Sequence, residues 1–145
     1  MVDVQTEVII NKPVHLVAEY AMQPDNAPAW YVNIQSAEWL TGKPLKRGSR
    51  VGFTAKFLGR QLAYVYEVKD LVPGEKLVMQ TADGPFPMET TYIFQAIDSN
   101  TTKMKLRNRG EPTGFSKLFA PFIRSMMRKA NKKDLQKIKT IVEAT

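Results

Sequence analysis

The chain has 145 residues, 21 Lys and Arg against 14 Asp and Glu, and no cysteine. That length predicts one domain, 1–145, large enough to bury a core without covalent staples. The missing cysteine excludes a disulfide framework, a Cys-ligated zinc and a Cys nucleophile, and it suits a reducing cytoplasm, the expected location.

The opening MVDVQTEVII lacks a basic stretch followed by an uninterrupted apolar one, so no signal peptide is expected. No apolar run reaches about 18 residues, so no transmembrane helix is expected either. The formal charge is +7. From Ser116 onward, Lys117, Arg124, Arg128, Lys129, Lys132, Lys133, Lys137 and Lys139 face only Asp134 and Glu143. Nearly all the excess is therefore one C-terminal basic patch, and the rest of the chain is close to neutral.

In chain order, Val2, Val4, Thr6, Val8 and Ile10 alternate with Asp3, Gln5 and Glu7, which predicts a half-buried strand. Asn11-Lys12-Pro13 ends it, with Asn able to cap and Pro tolerated in the first helical turn. Val14, Val17, Ala18, Ala21 and Met22 recur at helical spacing. Pro24-Asp25-Asn26 breaks that helix, and a second short turn carries Trp30 and Tyr31. A strand is expected over Ser36 to Leu40, then the polar turn TGKPLKRGS. Val51, Phe53, Ala55 and Phe57 form the next apolar face. Beyond a turn with Gly59 come Leu62, Tyr64, Tyr66 and Val68, a hairpin signal. Pro73-Gly74 turns the chain, Leu77 and Met79 form a short strand, and Asp83-Gly84-Pro85 turns it again. Met88, Thr90, Tyr92 and Phe94 then share a face. After Ser99-Asn100, Thr102, Met104, Leu106 and Asn108 oppose Lys103, Lys105, Arg107 and Arg109.

A closing helix is predicted from about Ser116 to Glu143, roughly 40 Å at 1.5 Å per residue. Its apolar positions are Phe115, Leu118, Phe119, Phe122, Ile123, Met126, Met127, Leu135, Ile138, Ile141 and Val142. Pro121 marks its first turn or kinks it. Six or seven antiparallel strands with one apolar face need a cover, and this helix is the element long enough to supply it. The inward residues Phe53, Phe57, Tyr64, Tyr66, Met79, Met88, Tyr92 and Phe94 are rich in aromatics and Met. Phe119, Phe122, Met126 and Met127 of the helix would face them. Such side chains suit an adaptable apolar pocket, although they also simply fill cores.

Several stretches together resemble the START-like (SRPBCC) superfamily, in its polyketide cyclase/dehydrase and lipid-transport branch. They are INKPVHLVAEYAMQPDNAPAW, with Pro13, Val17, Pro24, Asn26 and Trp30; LKRGSRVGF; VPGEKL; and LFAPFIRSMMRKANKKDLQKIKTIVE. Lys12 and Gln23 depart from the small residue and the Asp usual before the two prolines. The resemblance covers essentially the whole chain. It implies an α+β helix-grip fold: a curved antiparallel sheet of about seven strands around a long C-terminal helix, with two short helices after the first strand. It also implies an apolar ligand cavity between sheet and helix. The superfamily is functionally mixed, so the fold does not settle the function.

Catalytic motifs are sparse. His15, the sole histidine, lies off the apolar stripe of its helix and is expected at the surface. One His and no Cys make a transition-metal site unexpected, and no cofactor is predicted. Glu67 and Glu89 fall on outward faces, so no acid/base pair is indicated. Inward polar candidates are Tyr64, Tyr66, Thr90, Tyr92 and Asn108. Trp30 is expected to anchor the short helices, or with Trp39 to rim a pocket.

Three functions remain open. The first is binding or transport of a hydrophobic or amphipathic small molecule, lipid-like, polyketide-like or quinone-like. The expected binding residues are Phe53, Phe57, Tyr64, Tyr66, Met79, Met88, Thr90, Tyr92, Phe94, Asn108, Phe119, Phe122 and Met126. The second is a cofactor-independent cyclase or dehydrase using pocket tyrosines. The third is a protein–protein adaptor without a ligand. The basic patch is not expected to bind nucleic acid, because its aromatics belong to the apolar stripe. Peripheral contact with an anionic membrane fits it better.

Overall fold

The computed structural model describes residues 2–57, 59–83, 87–110 and 120–145, the Phe57 side chain excepted. In chain order the elements are β1 (Val2–Ile10), α1 (Val14–Ala21), a 3-10 turn (Pro24–Asn26), α2 (Ala27–Trp30) and β2 (Ile34–Trp39). Then come β3 (Arg50–Phe57), β4 (Arg60–Val72), β5 (Lys76–Asp83), β6 (Met88–Asp98), β7 (Thr101–Gly110) and α3 (Ala120–Glu143). The strands make one antiparallel seven-stranded sheet in the order β1-β7-β6-β5-β4-β3-β2. Neighbours in sequence are neighbours in space from β2 to β7, and β1 joins β7 with Val2 opposite Gly110 and Ile10 opposite Thr102. This is the helix-grip architecture.

Strict alternation in β1 and β7 becomes strict alternation of burial. Elsewhere bulges interrupt it. β4 slips register against β5 between Val68 and Asp70, and again between Val65 and Tyr66. A bulge bends its strand and adds twist, so a strand of 13 residues wraps around the helix and does not run flat. Gly48 reaches this bend with its N–H on the Val68 carbonyl at 2.8 Å and has φ of 90°. Gly74 turns β4 into β5 at φ of 75°, where a side chain would be strained. β2 begins at Ile34, two residues before the predicted start, because a bulge between Ile34 and Ser36 hides the pairing of Ile34 with Ala55.

α3 crosses the concave face and packs along β1. The described helix of 24 residues is about 36 Å long, with Pro121 as its second residue. The predicted start at Ser116, and Phe119, lie outside the described residues. Its C-terminal end is tied to the β1–α1 corner. Lys139 Nζ donates to the Ile9 carbonyl (2.6 Å), Asn11 N–H to Glu143 Oε2 (2.7 Å), and Lys12 Nζ to the Thr145 carbonyl (2.6 Å). Leu135, Ile138 and Val142 join the main core with Val17, Ala18, Ala21 and Trp30. Val2, Val4 and Ile123 form a second, smaller cluster at the other end. No helix among the described residues is long and apolar enough to cross a membrane.

Candidate functional site

Between the two apolar clusters the sheet and α3 stand apart except where Asn108 of β7 reaches Asn131 of α3. They leave a cavity of about 140 Å³. The reason is visible in α3. Its buried residues are Ile123, Asn131, Asp134, Leu135, Ile138 and Val142, and the half-buried Met127 lines the cavity with Ile123, Asn131 and Asp134. From Arg128 to Asp134 the only apolar residue is Ala130. Where a bundle helix would present Leu or Phe, this one presents Ala, Asn and Asp, which leave space between helix and sheet.

The sheet supplies the apolar wall. Phe53 and Ala55 come from β3, Leu62, Tyr64 and Tyr66 from β4, and Met79 and Thr81 from β5. Met88, Thr90 and Tyr92 come from β6, Asn108 from β7, and Tyr31 from the end of α2. Phe53, Tyr64 and Tyr66 contact one another with ring centroids 5.4–6.4 Å apart and tilted or edge-on planes. Trp30 packs beneath Tyr31 at 4.1 Å between centroids and meets Tyr92 edge-on at 5.6 Å. Trp30 is wholly buried and anchors the short helices. Its indole N–H has no hydrogen-bond partner among the described residues. Trp39 is elsewhere, donating to Asp25 with Lys43 over its ring.

Of the residues expected to line a pocket, Phe53, Tyr64, Tyr66, Met79, Met88, Thr90, Tyr92 and Asn108 do so. Phe94 is buried in the main core, not on the cavity wall. Phe122, expected to face inward, does not: it is 57% exposed. Met126 is half-buried and off the cavity wall. Phe122 lies opposite the buried face and Met126 at its flank, because the apolar residues of this helix are too many for one stripe. Phe119 and the Phe57 side chain lie outside the described residues.

Sequence reasoning misses Tyr31, Asn131 and Asp134. Asn131 and Asp134 are buried at 4% and 3% exposure, although they sit within the basic run KANKKD. The signal is present: both fall on the helical period set by Ile123, Met127, Ile138 and Val142. A polar residue on an apolar stripe is the informative observation.

Hydrogen bonds connect the polar residues across the concave face. The Tyr66 hydroxyl and Thr90 Oγ1 are 3.0 Å apart. Thr90 Oγ1 donates to Asn108 Oδ1 (2.6 Å), and Asn108 Nδ2 to Asn131 Oδ1 (3.3 Å). Asn131 Nδ2 has no partner among the described residues. The Tyr31 and Tyr92 hydroxyls bond to each other. Asp134 Oδ1 accepts from the Val32 N–H at 2.8 Å, its one donor among the described residues.

Burial pushes the Asp134 carboxyl up to about 6, against the opposing pull of the Val32 N–H and of Lys137. Burial also raises the phenols of Tyr31, Tyr64 and Tyr92, and lifts Tyr66 to about 12 against the Thr90 hydrogen bond. Near neutral pH the tyrosines are therefore hydrogen-bonding groups and not bases. Asp134 is the carboxyl on the described wall that burial brings toward that range.

Outside the cavity the surface offers little chemistry. His15 is exposed. Glu67 pairs with Arg50 and Lys69, and Glu89 with Arg109, on the convex face. No group of three or more His, Asp or Glu that could hold a metal gathers among the described residues. The exposed large apolar side chains among the described residues are Ile9, Leu16, Val32, Leu40, Ile97 and Phe122, on different segments of the chain.

The sequence matches the family model described as polyketide cyclase / dehydrase and lipid transport over residues 1–143. Comparison with curated protein sequences finds no match. Among solved structures, a protein from Thermus thermophilus superposes with TM-score 0.84 at 18% identity, covering 98% of this chain and 97% of that one. A START superfamily protein from Mycobacterium smegmatis gives 0.82 at 12% identity, covering 98% and 97%. The Zhui aromatase/cyclase from Streptomyces sp. R1128 gives 0.80 at 15% identity, covering 97% and 93%. At such identities the likeness is one of fold.

Proposed function

The chain belongs to the polyketide cyclase/dehydrase and lipid transport family, and from that premise we propose that it binds a hydrophobic or amphipathic small molecule between sheet and α3. The observation that carries this reading is the cavity itself, with aromatic and Met walls on the sheet and a polar strip on the helix. Protein interiors are otherwise packed to crystal density, and a sequence that puts Ala, Asn and Asp on the inner stripe of its covering helix forgoes that packing. The volume sets a scale: an apolar cavity of about 150 Å³ takes up benzene. A single ring fits, and a longer ligand would extend beyond the enclosed space.

Native mass spectrometry after non-denaturing purification tests the reading, together with NMR titration of the Ala55 and Ala130 methyls with ethylbenzene. Retention of a small molecule or uptake of the probe is expected. The absence of both a retained molecule and a methyl shift would overturn it.

A second reading, cofactor-independent cyclase or dehydrase chemistry, is favoured by one observation, the buried carboxyl of Asp134 facing the cavity. A group titrating near working pH suits proton transfer, and raised tyrosines would orient a substrate by hydrogen bonds. Turnover of an aromatic polyketide should then vanish in Asp134→Asn while binding persists. Full turnover in that variant rejects Asp134 as the proton carrier.

Peripheral membrane contact is a further part of the proposal. Arg128, Lys129, Lys132, Lys133 and Lys137 are exposed on the outer side of α3, with Phe122 beside them. Each cation near an anionic surface contributes about 1 kcal/mol, and the attraction is screened by salt. Flotation with phosphatidylserine vesicles should occur at low salt and fade at high salt. No flotation at low salt would reject the contact.

A further inference from the structure

The hydrogen-bonded chain from Tyr66 to Asn131 has a direction, and the direction says what is missing at its end. An O···O bond is typically shorter than an N···O bond. The 2.6 Å contact of Thr90 Oγ1 with Asn108 therefore involves the amide oxygen, and the longer 3.3 Å contact with Asn131 involves the amide nitrogen. Thr90 gives its only proton to Asn108, so Tyr66 must donate to Thr90. Both amides are thereby oriented. Asn131 accepts with its oxygen and is left with an N–H₂ group, wholly buried on the cavity wall and without an acceptor among the described residues.

Asp134 stands three residues further along the helix, on the same face. One carboxylate oxygen is held by the Val32 N–H, and the other has no donor among the described residues. The side chain is 3% exposed and lines the same cavity. A buried donor on Asn131 and an acceptor oxygen on Asp134 without a donor among the described residues thus lie one helical turn apart on residues that line the cavity. Leaving the Asn131 amide N–H₂ buried and unpaired is costly, and no described residue relieves it.

We propose that Asn131 and Asp134 are the specificity-determining pair of this cavity. They select a neutral, ring-sized ligand that carries a carbonyl-type acceptor for Asn131 Nδ2 and a hydroxyl or amine donor for Asp134, and they reject carboxylates. The inference rests on the small-molecule reading above. Its chemical content is separate: a hydrocarbon-filled cavity would leave both groups unpaired, and a fatty acid would bring a second negative charge against Asp134.

The test uses the unaltered protein and a probe series of nearly constant shape, titrated by NMR near pH 8. 3-Hydroxyacetophenone has both functions, 3-methoxyacetophenone lacks the donor, 3-ethylphenol lacks the acceptor, and ethylbenzene lacks both. 3-Ethylbenzoate supplies the anion. The first is expected to bind tightest. Each deleted function should weaken binding roughly tenfold, because a site group then stays unpaired. 3-Ethylbenzoate should bind weakest.

Asn131→Leu should then erase the difference between 3-hydroxyacetophenone and 3-ethylphenol, read as the ratio of their two affinities within that variant. If ethylbenzene binds as well as 3-hydroxyacetophenone, or 3-ethylbenzoate binds as well as the neutral probes, the pair does not select and the proposal falls. Cavity binding survives that result. If no probe binds at all, both fall together. The series on the unaltered chain is independent of whether the variant folds.

Discussion

Asp134 differs from the other acids whose carboxyls are perturbed. Asp3, Glu67, Asp70 and Glu143 are held low by hydrogen bonds to Arg107, Lys69, Lys76 and Lys139 on the surface. Asp134 is raised by burial. The groups around it are the Val32 N–H, Lys137 on its own helix, and the neutral phenols of Tyr31, Tyr64 and Tyr92 from α2, β4 and β6. Its ordinary value is 3.8 and its folded value about 6, so folding favours the protonated acid. That stabilisation is complete below pH 3.8 and is lost as pH rises through about 6. Asp134→Asn keeps an acceptor for the Val32 N–H without the charge. Near pH 8 it should be more stable than the parent by about 1–3 kcal/mol, and near pH 4 the gap should close. Urea denaturation at both pH values checks this, and a gap of constant size would refute the assignment.

Thr90 is the other residue whose chemistry exceeds its size. It accepts from Tyr66 and donates to Asn108, so Thr90→Val leaves a buried hydroxyl and a buried amide oxygen unpaired. The expected loss is about 1–3 kcal/mol. Thr90→Ser keeps the hydroxyl and should lose less. Equal losses by thermal or urea unfolding would mean that the methyl group matters and the hydrogen bonds do not.

At the scale of elements, α3 has two opposite faces that residue type alone confuses. Ile138 is fully buried in the main core, and Ile138→Ala should cost about 2–5 kcal/mol. Phe122 is 57% exposed, and Phe122→Ala should change stability by less than about 0.5 kcal/mol. Chemical denaturation of the two variants side by side decides between the faces. A large loss at Phe122 would show that something covers it. Residue type misleads here because it assigns every apolar residue from Phe115 to Met127 to the covering stripe. A helix buries one stripe of limited width, and geometry assigns Ile123 and Met127 to it and Phe122 and Met126 to other faces.

At the scale of the molecule, the cavity follows from two misfits in series. Bulges at Val65–Tyr66 and Val68–Asp70 curve the sheet, and small or polar residues leave the middle of α3 short of volume. Ala55 on β3 faces that space and is nearly fully buried. Ala55→Leu should fill it, holding stability within about 1 kcal/mol while abolishing ethylbenzene uptake. Uptake that persists in a folded Ala55→Leu protein would place the probe elsewhere.

Most of the architecture was legible in the chain. Period-two alternation marked the strands, and β1 and β7 show it residue by residue, because a strand with one buried face has no freedom to place an apolar residue outward. The helix-grip order followed from the resemblance and from the lack of any other long cover for the sheet. Eight of the thirteen expected pocket residues line the cavity for the same reason: parity on a strand assigns a face. What parity cannot assign is depth. It placed Phe94 beside Tyr92 on the inner face, and only packing decided that Phe94 meets the core and Tyr92 the cavity. Bulges also escaped, since an inserted residue is invisible until its partner strand is known. Asn131 and Asp134 read as members of a solvated basic run and became the buried wall of the site. The sequence by itself determined the strands, the long covering helix and the inward face of the sheet, because those follow from local periodicity and length. The tertiary structure alone decided which inward residues touch one another and which face empty space, because that depends on how far a curved sheet stands from its helix.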